Sequence, residues 1–202
     1  MKETIRKVIE HEAKAVLNIP VEEGFVKAID LIYGNVHLKK GKLVASGMGK
    51  AGQIAANIAT TFSSTGTPAV FLHPSDSQHG DLGVVQENDV LLFISNSGKT
   101  REIIELVELA NRLHPGLPLI LISSNREGEL VKKADAFIFT GNPQEVCPLG
   151  LTPTTSTTIM TVIGDALVVS MMKKIGFTAE DYAKRHHGGY LGDKSREQAE
   201  KK

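Results

Sequence analysis

Three hydroxyl side chains fall within six residues in the stretch Ser95-Asn96-Ser97-Gly98-Lys99-Thr100, directly after the apolar run Val90-Leu91-Leu92-Phe93-Ile94. Where a strand hands over to a helix, such a loop gathers hydroxyls and free backbone N–H groups at the positive end of a helix dipole. That is good chemistry for holding one phosphate monoester. Capping the helix needs only one hydroxyl, so capping alone does not account for three. Ser95, Asn96, Ser97 and Thr100 are therefore the first candidate binding residues.

Two glycine patterns invite other readings. Gly47-Met48-Gly49-Lys50-Ala51-Gly52 matches the dinucleotide fingerprint after a strand and before a helix. That fingerprint also wants an acidic residue at the end of the second strand to hold a ribose. Here that end reads Phe71-Leu72-His73-Pro74, and Asp76 lies beyond the proline. Gly98-Lys99-Thr100 looks like the end of a nucleoside triphosphate loop. Such a loop needs a glycine five residues before Gly98, where Phe93 stands inside a strand. Neither nucleotide reading is adopted.

Several side chains near these loops could do chemistry. Lys50 sits at a helix N-terminus, where a cation is unfavourable unless it faces an anionic ligand. Glu102 falls in the first turn of the helix after the hydroxyl loop. It suits two roles there equally, complementing the helix dipole or acting as a general base. The single cysteine, Cys147, lies in the apolar stretch Val146-Cys147-Pro148-Leu149 with no base close by in sequence. It reads as a buried structural residue rather than a nucleophile.

The elements that position these groups follow from periodicity. Ile5, Val8, Ile9, Ala13, Val16 and Leu17 make one helical stripe. Val21, Phe25, Ala28, Ile29 and Ile32 make a second, with Pro20 in its first turn and Gly34-Asn35 at its end. From Lys42 the pattern is strand, turn, helix. The strands are 43–46, 69–72, 90–94, 119–122 and 136–139, and Ser75 to Asp81 forms a short polar loop. All five strands are continuously apolar, which predicts burial on both faces in a parallel sheet covered by helices. Helices are expected near 153–174 and 179–184. The fold class is thus an α/β three-layer sandwich with a five-stranded parallel sheet, one domain over residues 1–193 with a frayed, charged tail at 194–202.

Bulk properties exclude several classes. The 202 residues carry 23 Lys and Arg against 23 Asp and Glu, so net charge offers no attraction to nucleic acid or an anionic membrane. One cysteine permits no disulfide within the chain. The charged N-terminus has no apolar signal core, and no stretch reads as a bilayer span, which makes a cytoplasmic location the expectation. The segment Ile159 to Met172 is apolar over more than the single stripe that packing on a sheet needs. That predicts a homo-oligomer, with a tetramer expected.

Taken with the strand order, Ser46-Gly47-Met48-Gly49-Lys50 and Ser95-Asn96-Ser97-Gly98 resemble the SIS family of sugar-phosphate isomerases and sugar-phosphate-binding domains. Within it the chain resembles arabinose-5-phosphate isomerases over nearly its whole length. The further segments are Ser64 to Pro68, His79-Gly80-Asp81-Leu82-Gly83, Glu145 to Thr158 and Gly176 to Asp181. Many members carry two CBS modules after the SIS domain, and this chain ends at Lys202 without them. Members usually read His-Pro-Gly-Gly where this chain reads His186-His187-Gly188-Gly189.

The resemblance implies interconversion of D-ribulose 5-phosphate and D-arabinose 5-phosphate, a reaction that needs no redox cofactor. The spacing of His79, Glu145 and His186 matches no metal motif, so no required metal is expected. The resemblance places functional side chains at Lys50, His79, Glu102, Glu145 and His186, and substrate contacts at Ser46, Gly47 and Gly49 beside the hydroxyl loop. Glu102 or His186 takes the proton from carbon, and His186 lies where a neighbouring subunit's site is easier to reach than its own. The product would feed synthesis of 3-deoxy-D-manno-octulosonate for lipopolysaccharide or capsule, with a CMP-activated sugar as a feedback ligand. Two other readings stay open: a non-catalytic sugar-phosphate sensor and a sedoheptulose-7-phosphate isomerase.

Overall fold

The computed structural model describes residues 1–200. Five parallel strands form one sheet in the order β2-β1-β3-β4-β5, with β1 at Leu43–Gly47, β2 at Ala69–Phe71, β3 at Val90–Ile94, β4 at Leu119–Ser123 and β5 at Ala136–Phe139. Every residue of β1, β3 and β4 is buried, which is why these runs are apolar without alternation. The pleat still sorts them by face. Leu43, Ala45, Leu92, Ile94, Ile120 and Ile122 meet α2 (Glu23–Ile32), α3 (Gly49–Ser64) and α7 (Thr155–Ile175). Val44, Leu91, Phe93, Leu119 and Leu121 meet α5 (Arg101–Leu113) and α6 (Glu129–Lys133) on the other face. The three-layer α/β sandwich is as the sequence predicts.

Several boundaries differ from the sequence reading, each for a local reason. Pro20 lies in the connector after α1 (Lys2–Leu17), packed near Gly141, and α2 begins only at Glu23. Gly34-Asn35 does not end the second helix. The chain continues as a π-helical turn, Tyr33–Leu38, held by the Asn35 amide donating to the Leu31 carbonyl at 3.0 Å. The expected polar loop after β2 contains a one-turn helix, α4 (Pro74–Ser77), followed by a 3-10 turn at Asp81–Val84. Through Glu200 the expected frayed tail is helix α9 (Gly189–Glu200), packed on α8 (Ala179–Ala183); residues 201–202 lie outside the described residues.

Two helices depart from simple amphipathic expectation. Helix α1 has no buried residue, and Ile9 and Leu17 are 61% and 86% exposed. Helix α7 is long and apolar enough to span a bilayer by length and composition, contrary to the sequence reading. Its apolarity has a packing cause in this fold. Ile159, Met160, Ile163, Leu167, Val168 and Met171 are buried against the sheet and α3. At Gly164 the two helices cross so closely that a Cβ would sit 2.4 Å from Ile58.

Candidate active site

Strands β1 and β3 are hydrogen-bonded neighbours, with Ser46 opposite Phe93 and Gly47 opposite Ile94. The chain leaves β1 for α3 on one face and leaves β3 for α5 on the other. The two outgoing loops therefore diverge at the carboxyl end of the sheet. This is the topological switch point, where open parallel sheets bind ligands.

The first loop is shaped by close backbone approach. A Cβ on Gly47 would fall 2.8 Å from the Ala51 carbonyl carbon, and one on Gly52 2.5 Å from the Gly47 oxygen. These two glycines thus let α3 start directly against β1. Gly49 has φ +58 and open space around it, so the turn into the helix needs its freedom. Ser46 is fully buried and donates its hydroxyl to the Leu72 carbonyl at 2.6 Å. That commitment joins β1 to the end of β2 and takes the Ser46 hydroxyl away from the ligand contact expected of it. Lys50 is exposed and lines a cleft of about 280 Å³ with Gln53, Ile54, Thr157, Thr158 and Thr161.

The second loop is stitched to the loop after β4. The hydroxyls of Ser123 and Ser124 both donate to the Asn96 carbonyl, at 3.1 and 2.8 Å, and the Asn125 amide donates to the Ser97 carbonyl at 2.8 Å. Gly98 has φ +63 and faces Gly128, where a Cβ would lie 3.0 Å from the Gly98 α-carbon. Ser95 is buried, while Asn96 and Ser97 are exposed above the sheet. Thr100 occupies the N-cap position of α5 without making a side-chain cap bond. Its hydroxyl instead pairs with that of Ser95. Glu102, half-buried, stands in the first turn of the same helix.

Glu145 lies in the segment after β5, and its carboxylate is engaged. One oxygen accepts the Thr154 N–H at 2.7 Å, the Thr154 hydroxyl at 2.8 Å and the Ser156 N–H at 3.3 Å. Burial pushes its pKa up, but the hydrogen bonds from Ser156 and Thr154 outweigh it and hold the group below its usual value. Glu145 therefore anchors the start of α7. Cys147 differs from expectation: it is half-exposed, and its sulfur accepts backbone N–H groups of Thr152 and Leu151 at 3.1 and 3.2 Å. The Thr152 N–H is the main cause that lowers its pKa to about 7, against the upward push of burial.

The histidines separate. His79 is exposed, just past α4 at the carboxyl end of β2. His186 is at the opposite end of the sheet. Its ring stacks on Tyr182 with centroids 3.7 Å apart, Tyr182 meets Phe177 edge to face at 6.4 Å, and Phe177 covers Gly66 in the turn entering β2. The length of a five-residue strand, roughly 15 Å, thus lies between His186 and the crevice of its own chain. Lys50, Glu102 and the hydroxyl loop gather at the carboxyl ends, with Glu145 and His79 on neighbouring loops there; His186 does not join them.

Sequence reasoning passed over Thr157 and Thr158, which face Lys50 across the cleft, and the Ser123-Ser124-Asn125 run that braces the hydroxyl loop. The density of hydroxyl residues in both stretches was the available signal. Among the described residues no three His, Cys, Asp or Glu side chains converge as a metal centre requires.

The family model of the SIS domain matches residues 38–170, well over half of the chain. The chain belongs to the SIS domain family. The matched span takes in both crevice loops, His79, Glu102 and Glu145, whereas His186 lies beyond it. Among curated proteins, this SIS domain is 48% identical over 186 residues to arabinose 5-phosphate isomerase KdsD of Yersinia pestis, covering 92% of the chain and 55% of that protein. It is 44% identical over 184 residues to KdsD of Pseudomonas aeruginosa, with 91% and 55% covered. The chain spans about half the length of these curated relatives. Among solved structures, a candidate phosphosugar isomerase involved in capsule formation from Bacteroides fragilis shares 64% identity at a TM-score of 0.93, with 94% of this chain and 99% of that chain covered. An Escherichia coli CFT073 protein in complex with arabinose 5-phosphate shares 34% identity at a TM-score of 0.83, with 90% and 95% covered.

Proposed function

We propose that this SIS domain is an aldose–ketose isomerase interconverting D-ribulose 5-phosphate and D-arabinose 5-phosphate. The observation that carries the reading is that a hydroxyl-rich loop, the exposed Lys50 and the half-buried Glu102 all follow the carboxyl ends of the adjacent strands β1 and β3, at the switch point. The relatives named for arabinose 5-phosphate and the neighbour solved with that phosphosugar supply the substrate.

The chemistry follows from those parts. Ser95–Thr100 and the N-terminus of α5 hold the phosphate at the far end of the open-chain sugar. A base removes the proton from C2 of the aldose, and the electron pair moves toward the C1 carbonyl to form an enediolate. Lys50 stabilises the charge that develops on oxygen. Return of a proton to C1, with transfer of the C2 hydroxyl proton, yields the ketose. The sequence is redox-neutral and calls on no nicotinamide. Glu102 and His186 both suit the proton transfers, and one serves carbon while the other serves oxygen. His79 and Glu145 complete the polar surround of the sugar.

His186 reaches this chemistry from another copy of the chain. Its place at the far end of the sheet, together with the exposed apolar residues of α1, supports a homo-oligomer whose sites take the partner subunit's His186. A tetramer, working in the cytoplasm, is the assembly we infer. The product then feeds synthesis of 3-deoxy-D-manno-octulosonate for lipopolysaccharide or capsule, and a CMP-activated sugar competes at the phosphate loop. A coupled assay with separate pentose and heptose phosphates tests the activity. Turnover of arabinose 5-phosphate is expected; tight binding of phosphosugars without turnover of any would overturn the isomerase reading.

A further inference from the structure

We propose that Tyr182 is the positioning residue of His186, fixing both the plane and the tautomer of its imidazole, with Gly192 as the second jaw of the same clamp. This rests on the reading of His186 as an acid–base group.

The rings of Tyr182 and His186 stand 3.7 Å apart and within 7° of parallel. Four residues separate them in sequence, one helical turn, and the stack continues the last turn of α8 past its end. Phe177 lies edge to face against the far part of Tyr182 and itself rests on Gly66. The stack is thus braced through to the body of the domain. A ring held on one face this way loses rotation about both side-chain torsions.

The second constraint acts on the ring's nitrogen. His186 Nδ1 lies 3.1 Å from the carbonyl oxygen of Tyr182. A carbonyl only accepts, so Nδ1 carries the proton and donates it. In the neutral imidazole Nε2 is then left with its lone pair, on the side of the ring away from Tyr182's backbone. This tautomer is ready to take a proton at one defined atom. The same carbonyl accepts the backbone N–H groups of Arg185 at 3.0 Å and His186 at 3.1 Å, so it is itself held in place.

The third constraint comes from α9. A Cβ at position 192 would sit 2.5 Å from the His186 carbonyl oxygen and 3.3 Å from its carbonyl carbon. Helix α9 therefore presses directly on the backbone of His186, and only glycine permits that approach. His187, exposed and without a hydrogen bond among the described residues, shares only the backbone contact with α9, its carbonyl carbon lying 3.3 Å from that same Cβ; its ring has neither the stack nor the Nδ1 bond. The clamp thus selects His186, and not its neighbour, as the histidine presented with a defined orientation.

Kinetics of arabinose 5-phosphate isomerisation by the full chain, combined with nitrogen-15 NMR of its histidine rings, tests this. Tyr182→Phe keeps the stack and should keep kcat within about twofold. Tyr182→Leu should lower kcat by on the order of tenfold or more, as misplacement of a reacting group does, while KM moves little. In that variant the His186 signal should change from the Nδ1–H tautomer to an average of both. Gly192→Ala should lower kcat in the same direction and serves as an independent probe should Tyr182→Leu fold poorly. Wild-type kcat and an unchanged tautomer in both Tyr182→Leu and Gly192→Ala, with His186→Ala inactive, would overturn the proposal. Equal loss in the Phe and Leu variants would also overturn it, since the hydroxyl and not the ring would then matter. Full activity of His186→Ala would instead remove the reading beneath it.

Discussion

The hydroxyls of Ser95 and Thr100 meet at 2.8 Å, closing the base of the loop between β3 and α5. Ser95 is buried at the end of its strand, so this bond fixes Thr100 and the first N–H groups of α5 relative to the sheet. Thr100→Val keeps the shape and deletes the bond. It should raise KM for arabinose 5-phosphate several-fold, equivalent to about 1 kcal/mol, with kcat less affected. Steady-state kinetics checks this; an unchanged KM would show that the pairing does not shape the phosphate grip.

Glu102 stands one turn into α5, half-buried beside that loop. Glu102→Gln preserves size and hydrogen bonding but cannot take a proton. Its kcat should fall by roughly 10² or more while KM stays near the parent value. Loss confined to affinity, with kcat retained, would return Glu102 to the role of dipole partner for its helix.

Glu145 links the proposed site to stability through its hold on the start of α7. Its folded pKa is depressed, because the bonds from Ser156 and Thr154 outweigh burial. A carboxyl held low contributes stability above its unfolded value, about 4.3. That contribution is lost as pH falls through the lower folded value. Glu145→Ala should therefore cost about 1 kcal/mol at neutral pH, as loss of a helix cap does. The gap to the parent should close as pH drops below about 4. Thermal melts across that range decide the point, and a pH-independent difference would contradict it.

Cys147 carries a thiol with a pKa lowered to about 7 by the Thr152 N–H. Alkylation by iodoacetamide, followed by mass spectrometry, should rise through a midpoint near that value and vanish in Cys147→Ser. A midpoint at the ordinary thiol value, about 8.5, would mean that the Thr152 and Leu151 bonds do not persist in solution.

His186 and Lys50 belong to opposite ends of one sheet. Mixed subunits carrying Lys50→Ala or His186→Ala alone should regain activity, since a hybrid assembly contains sites with both groups intact. Continued inactivity after subunit exchange, demonstrated by native mass spectrometry, would place both groups in one chain. An active monomer in light scattering would do the same.

Sequence alone determined the architecture. Five short continuously apolar runs bounded by turns mark the strands of a helix-covered parallel sheet, although only β1, β3 and β4 are buried throughout and the edge strands β2 and β5 are partly open. Short hydroxyl- or glycine-rich turns after the first and third mark the loops at the carboxyl ends. Those are local signals, carried by residues a few positions apart. What tertiary structure decided is everything that depends on partners distant in the chain. Ser46 looked free to meet a ligand until Leu72 claimed its hydroxyl. Cys147 sat among apolar neighbours in sequence, yet loop geometry leaves it half-exposed on two N–H groups. The charged C-terminal segment folds as α9 because α8 gives it a surface to cover. For His186 the sequence already pointed away from its own site, toward a neighbouring subunit. The seat of its ring on Tyr182 and, through Phe177, on Gly66 at the amino ends of the strands was decided by packing, because Gly66 and Phe177 are distant in the chain.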